Sequence, residues 1–144
     1  MRRCAVVIFA AFLGVAGAQA VEPNYNYALH CTGCHTAEGV SPELGRIPPL
    51  KGVVGHLVRT QEARLYFANV PGIVNSGLDG DETAALLNWV VKIYGGESTP
   101  ESWKPFDGAE IEALRSEGPA DIMAYRKEVE DRLKADGYSI GTYP

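Results

Sequence analysis

Apolar and polar positions alternate along this chain with the periods of helices, and no stretch shows the two-residue alternation of a strand. Asn24 stands where it can cap a helix running through Tyr25, Tyr27, Leu29 and Cys31 to about His35. Gly39 to Pro49 reads as a loop rich in Gly and Pro. Thr60 opens a second helix, through Ala63, Leu65, Tyr66 and Phe67, that stops before Pro71-Gly72. A third is signalled by the capping box Asp79/Glu82, by Ala85, Leu86, Trp89, Val90 and Ile93 at helical spacing, and by Gly95-Gly96 at its end. It is expected to pack against the first helix, with Tyr27 and Trp89 at the crossing.

Beyond residue 97 the composition shifts. Glu97-Ser98-Thr99-Pro100 reads as a linker, and Asp107 with Glu110 as a second capping box for a helix through Ile111 and Leu114. Pro119 suits the first turn of a last helix, whose Ile122, Tyr125, Val129 and Leu133 form one apolar stripe. Its charges, Arg126 among them, are expected to face water. Trp103 and Phe106 are expected to staple this part to the rest. The pattern gives an all-α architecture: a small domain over 21–96 and a two-helix C-terminal extension over 97–144.

Residues 1–20 read as an export signal, with Arg2 and Arg3 before an apolar run from Ala5 to Val15 and the cleavage pattern Ala18-Gln19-Ala20. The expectation is a periplasmic protein, cleaved near Ala20, with no membrane span afterwards. Cleavage changes the charge. The chain has 13 Lys+Arg and 18 Asp+Glu, and losing Arg2 and Arg3 leaves 11 against 18, a net charge near −7. Nucleic acid is therefore not expected as a partner, because phosphate binding needs clustered positive charge.

Cleavage also removes Cys4, leaving Cys31 and Cys34 within His30-Cys-Thr-Gly-Cys-His35. Two thiols and an imidazole on one helical face can serve a disulfide, a metal or a haem. Tetrahedral zinc needs more ligands than this segment offers, and a thioredoxin-like motif needs a βαβ setting that the helices and loops do not supply. Cys-x-x-Cys-His suits two thioethers to the vinyl groups of one haem, with the adjacent imidazole of His35 on the iron. One covalently bound haem c is expected.

Residues 22–96 resemble the class I cytochrome c family in three features: the motif at 31–35, the run PPLKGVVGH at 48–56, and the capped helix from Asp79 to Tyr94. The resemblance implies that the Pro48 carbonyl accepts the free N–H of His35 and that Leu50 packs on the haem. It further implies a crevice wall drawn from Val53, Val54, Leu57, Tyr66, Phe67 and Val70, and single-electron transfer as the function. Exported dehydrogenases would be donors, and another cytochrome or an oxidase the acceptor.

The chain departs from the family on the distal side. Where members carry a methionine before the last helix, this sequence reads Ile73-Val74-Asn75-Ser76-Gly77-Leu78. Candidates for the sixth iron ligand are Asn75, Met123 and His56. Met123 more often fills a core when it sits in an amphipathic helix, and His56 also suits a bond to a haem propionate. An open or weakly filled position would favour a second function, binding or sensing of a small ligand. A peroxidase-like use needs a distal acid or base, which residues 70–78 do not offer, leaving His56 or the extension to supply it.

Overall fold

The computed structural model describes residues 21–41 and 47–141; the expected export signal at 1–20 and part of the 39–49 loop lie outside the described residues. Among these the elements are α1 (Pro23–His30), α2 (Thr32–His35), α3 (Gln61–Asn69), α4 (Pro71–Val74), α5 (Gly80–Tyr94), α6 (Gly108–Ser116) and α7 (Ile122–Ala135), with 3-10 turns at Val54–Val58 and Gly96–Ser98. No strand occurs among the described residues. The fold is all-α, a class I cytochrome c-like arrangement followed by a two-helix extension.

Local chemistry explains most boundaries. Thr60 accepts from the Ala63 amide and opens α3. Asp79 and Glu82 exchange both bonds of a capping box, so two amide donors at the start of α5 are satisfied together. Asp107 caps α6 by accepting from the Glu110 amide, but the reciprocal half expected there does not form. The Glu110 carboxylate instead reaches Arg64 of α3, at 2.7 Å.

Other expectations are corrected. Pro23 occupies the first turn of α1 and Glu22 its N-cap position, so Asn24 does not cap it. The helix is interrupted at Cys31, and its buried face carries Asn26 and Tyr27, while Tyr25 and Leu29 point to solvent. On α5 the inward face is Thr83, Ala84, Leu86, Leu87, Val90, Val91 and Tyr94; Ala85 and Ile93 are exposed. Asp121, not Pro119, opens α7 by accepting from the Met123 and Ala124 amides.

Residues 97–100 are not a loose tether. Ser98 is buried, its hydroxyl accepts from the Gly55 amide at 3.0 Å, and its carbonyl accepts from Arg59. A Cβ on Gly55 would collide with Ser98 and Thr99, so glycine is what lets these two segments touch. The extension continues the same hydrophobic core. Phe106, Ile111, Leu114, Val129, Leu133 and Ile140 are buried together with Val54, Phe67, Leu86 and Leu87.

Polar ties cross the same seam. Asn88 exchanges two bonds with the Phe106 backbone, Asn69 donates to the Leu114 carbonyl, and Arg115 donates to Thr83. Phe106 meets Phe67 edge-on at 6.2 Å, in the stapling role expected of it, while Trp103 is half-buried. Arg126, expected in water, is 3% exposed. It donates to the Tyr66 hydroxyl at 2.7 Å and to the carbonyls of Ile140 and Gly141, and it pairs with Glu130 at 2.8 Å. The segment after α7 is thereby bound to α3.

Candidate haem site

The site begins where α1 breaks. Cys31 caps one short helix and starts the next, α2 contributes Cys34 and His35, and both cysteines are free thiols. Cys31 is half-buried against the core and Cys34 is exposed. Burial, with a smaller contribution from Cys34, pushes the Cys31 thiol up to about 11. It therefore stands protonated near neutrality.

The turn after α2 is fixed from two sides. Thr36 adopts a left-handed φ of 55°, costly for a β-branched residue. The Tyr27 hydroxyl holds its carbonyl at 2.7 Å, and the Tyr94 hydroxyl holds that of Ala37 at 2.8 Å. Tyr27, Trp89 and Tyr94 pack together with ring centroids 5.2 to 5.8 Å apart, so α1 and α5 cross on aromatic contacts as the sequence suggested. Burial, more than the neighbouring Tyr94, raises the Tyr27 phenol well above its ordinary range, so it remains a donor.

Gly39 joins this turn to the next loop. Its carbonyl accepts from the amides of Leu50 and Lys51, at 2.9 and 3.0 Å, and the Gly52 amide donates to the Tyr94 carbonyl. At φ +70°, with the Tyr94 ring 2.5 Å from where a Cβ would lie, Gly39 has both a conformational and a steric reason to be glycine. These bonds hold Leu50 and Lys51 against the segment that follows the Cys-x-x-Cys-His turn, and the Pro48 carbonyl lies beside His35.

His35 is half-buried, and its Nδ1 is sealed from solvent with no partner in strict hydrogen-bonding geometry. Burial lowers its pKa below 6.5, and the Pro48 carbonyl opposes that shift by accepting toward the ring. A neutral imidazole with its N–H toward Pro48 leaves Nε2 as the free lone pair. Two free thiols, one neutral imidazole and a buried nitrogen facing a carbonyl are the donor set that a covalently held haem requires. Leu50, Val53 and Val70 are half-buried, while Val54, Leu57, Tyr66 and Phe67 are inside the core.

The structure does not bring the distal candidates together. Asn75 ends α4 and is exposed. Met123 lies in the first turn of α7 and is 46% exposed, so it does not fill the core as a methionine in such a helix was expected to. His56 sits in the 3-10 turn, half-buried, with Nδ1 accepting from Arg59 at 3.1 Å and its ring stacked on Tyr138 at 5.0 Å. Burial, and then the Arg59 charge, lower its pKa below 6.5. Among the described residues no group of three or more His, Cys, Asp and Glu could hold a metal ion, and no helix is long and apolar enough to cross a membrane.

Sequence reasoning did not single out the hydroxyl ties of Tyr27 and Tyr94, Arg126, or the contact of Tyr138 with His56 and Arg59. One signal was available for Arg126, which falls on the same helical stripe as Ile122, Val129 and Leu133.

The all-helical fold, the Cys-x-x-Cys-His turn on its first crossing helix and the capped helix that crosses it match the pattern of a class I c-type cytochrome, the class of electron carriers with one covalently bound haem c. The relatives agree with that class. A cytochrome c-552 of Thermus thermophilus is 28% identical over 140 aligned residues, spanning 83% of this chain and 94% of the relative. A second Thermus thermophilus cytochrome c-552 is 28% identical over 119 residues, spanning 69% of this chain and 90% of the relative. No protein-family model matches the chain.

Proposed function

We propose that Cys31 and Cys34 hold the haem as thioethers, that His35 is its proximal ligand through Nε2, and that the chain is an exported, periplasmic shuttle. It would take single electrons from an exported dehydrogenase and pass them to a downstream cytochrome or oxidase. The observation that carries this reading is the buried Nδ1 of His35 beside the Pro48 carbonyl, next to two unpaired thiols. When bound, the haem supplies a one-electron ferric/ferrous couple.

The chain's residues have distinct tasks. Cys31 and Cys34 are the thiols that would hold the haem as thioethers, a redox-neutral addition of S–H across a vinyl double bond that would need no oxidant. Pro48 fixes the tautomer and ring orientation of His35, and Leu50 and Val70 exclude water. The ties from Tyr27, Tyr94 and Gly39 keep the turn from moving between oxidation states. Residues 21–96 form the haem-holding part in this reading, and 97–144 an extension that packs on it.

A second reading, small-ligand binding at an open or weakly filled sixth position, is favoured by the exposure of both Asn75 and Met123. His56, engaged by Arg59 and Tyr138, fits a propionate partner better than an iron ligand. Spin state and CO uptake of the purified holoprotein separate the two. A low-spin iron that ignores CO supports the shuttle, and Met123→Ala and His56→Ala then identify the ligand. A high-spin iron that takes up CO moves ligand binding ahead.

A further inference from the structure

The chain beyond α7 runs back to the segment that carries the Pro48 carbonyl. We propose that this strap, residues 137–141, positions the proximal side of the haem site: Tyr138 and Gly141 hold the Pro48–Pro49 peptide so that its carbonyl stays on His35. The inference rests on the reading of His35 as the proximal ligand and adds a part of the extension to it.

The need for a strap comes from the two prolines. Pro48 and Pro49 lack amide hydrogens, so neither can donate a backbone bond that would fix the peptide between them. Backbone donors resume at Leu50, whose amide donates to Gly39 and whose carbonyl accepts from the Val53 and Val54 amides. The His56 amide then donates to Val53 and the Arg59 amide to His56, so residues 50–59 move as one bonded series.

The strap meets this segment at both ends. The Tyr138 ring is half-buried, with its centroid 4.0 Å from the Arg59 guanidinium carbon and 5.0 Å from the His56 ring. Gly141 stands beside Pro49: a Cβ built on it would lie 4.0 Å from Pro49 Cδ, which leaves room for a methyl group and no more. That Cδ is bonded to the nitrogen of the Pro48–Pro49 peptide. In a trans peptide it takes the place of the amide hydrogen, opposite the carbonyl oxygen. Gly141 therefore limits how far the oxygen can withdraw from His35.

The strap is itself fastened. The Gly137 and Tyr138 amides donate to the Lys134 and Leu133 carbonyls at the end of α7, and Ile140 is buried. Arg126 holds the Ile140 and Gly141 carbonyls while donating to Tyr66 of α3. The extension thus reaches the proximal loop through a fixed support.

The test follows the His35 Nδ1–H by ¹⁵N NMR in the ferrous holoprotein under CO, where the iron is diamagnetic whatever fills the sixth position. In the unaltered protein this proton should exchange slowly, and the carbon-bound ring protons of His35 should carry the large ring-current shift of an imidazole on haem iron. Tyr138→Leu removes the aromatic ring and keeps apolar bulk; exchange should quicken at least about ten-fold with the ring-current shift retained. Tyr138→Phe keeps the ring and should restore slow exchange. Asp107→Ala removes the α6 cap and leaves the strap contacts in place; it should lower stability without changing the exchange rate, which separates general loosening from loss of the strap. An Nδ1–H that exchanges freely in the unaltered protein, a rate unchanged in Tyr138→Leu, or one raised equally by Asp107→Ala would overturn the strap and leave His35 standing as ligand. His35 protons without the ring-current shift in the unaltered protein would overturn the ligand reading and this inference with it.

Discussion

Replacing Arg126 by alanine should be among the most damaging changes outside the haem turn. Arg126 is 3% exposed, and four groups depend on it: the Tyr66 hydroxyl, the Ile140 and Gly141 carbonyls, and the Glu130 carboxylate. Truncation leaves Glu130 charged and largely buried without its cation, a change that costs about 3–5 kcal/mol when a buried pair is broken. The stranded carbonyls partly regain water as the terminal segment loosens, so their share is not added in full. Urea unfolding of the holoprotein, followed by far-ultraviolet circular dichroism, reads the loss as a lower midpoint at unchanged slope. Arg126→Ala combined with Glu130→Ala should recover part of it, because the uncompensated charge is gone. A loss below about 1 kcal/mol for Arg126→Ala would refute the reasoning, since that is the scale of a solvent-exposed pair.

Other expectations follow from single contacts. Tyr94→Phe removes one hydrogen bond to the Ala37 carbonyl and should cost about 0.5–1.5 kcal/mol in the same assay, with the aromatic packing intact. Gly39→Ala places a methyl group against the Tyr94 ring at a left-handed φ; at least about 1 kcal/mol should be lost, with less haem-loaded protein recovered on expression. His56 has a folded pKa held below its unfolded value of 6.5, so the unfolded chain binds the proton first as pH falls. Stability should therefore be whole above about 6.5 and decline below it until His56 itself protonates, and His56→Gln should flatten that slope in the holoprotein.

What the sequence disclosed, and what it hid, divides along physical lines. Helix starts were legible where a short side chain caps its own helix, as at Thr60, Asp79 and Asp107, because that chemistry is local. Glu110 shows the limit: its spacing fits a capping box, but a guanidinium 46 residues away in sequence binds its carboxylate instead. Likewise Arg126 reads as a surface charge until Tyr66 and the terminal carbonyls surround it. The linker reading failed at Ser98 because the close approach of Gly55 is a tertiary fact.

The Cys-x-x-Cys-His segment was legible because Cys31, Cys34 and His35 fall within five residues, and the Pro48 carbonyl beside His35 was expected from the resemblance. The distal side was not, since any sixth ligand must come from a segment distant in sequence, and Asn75, Met123 and His56 lie on three different elements.

The central claim is that Cys31 and Cys34 carry the haem. Proteolysis of the denatured holoprotein and mass spectrometry of the peptide spanning residues 27–38 tests it most directly. One haem mass is expected on that peptide, retained after acid extraction, with neither cysteine open to alkylation. Haem extracted into solvent, and the same peptide recovered with both thiols alkylated, would contradict it.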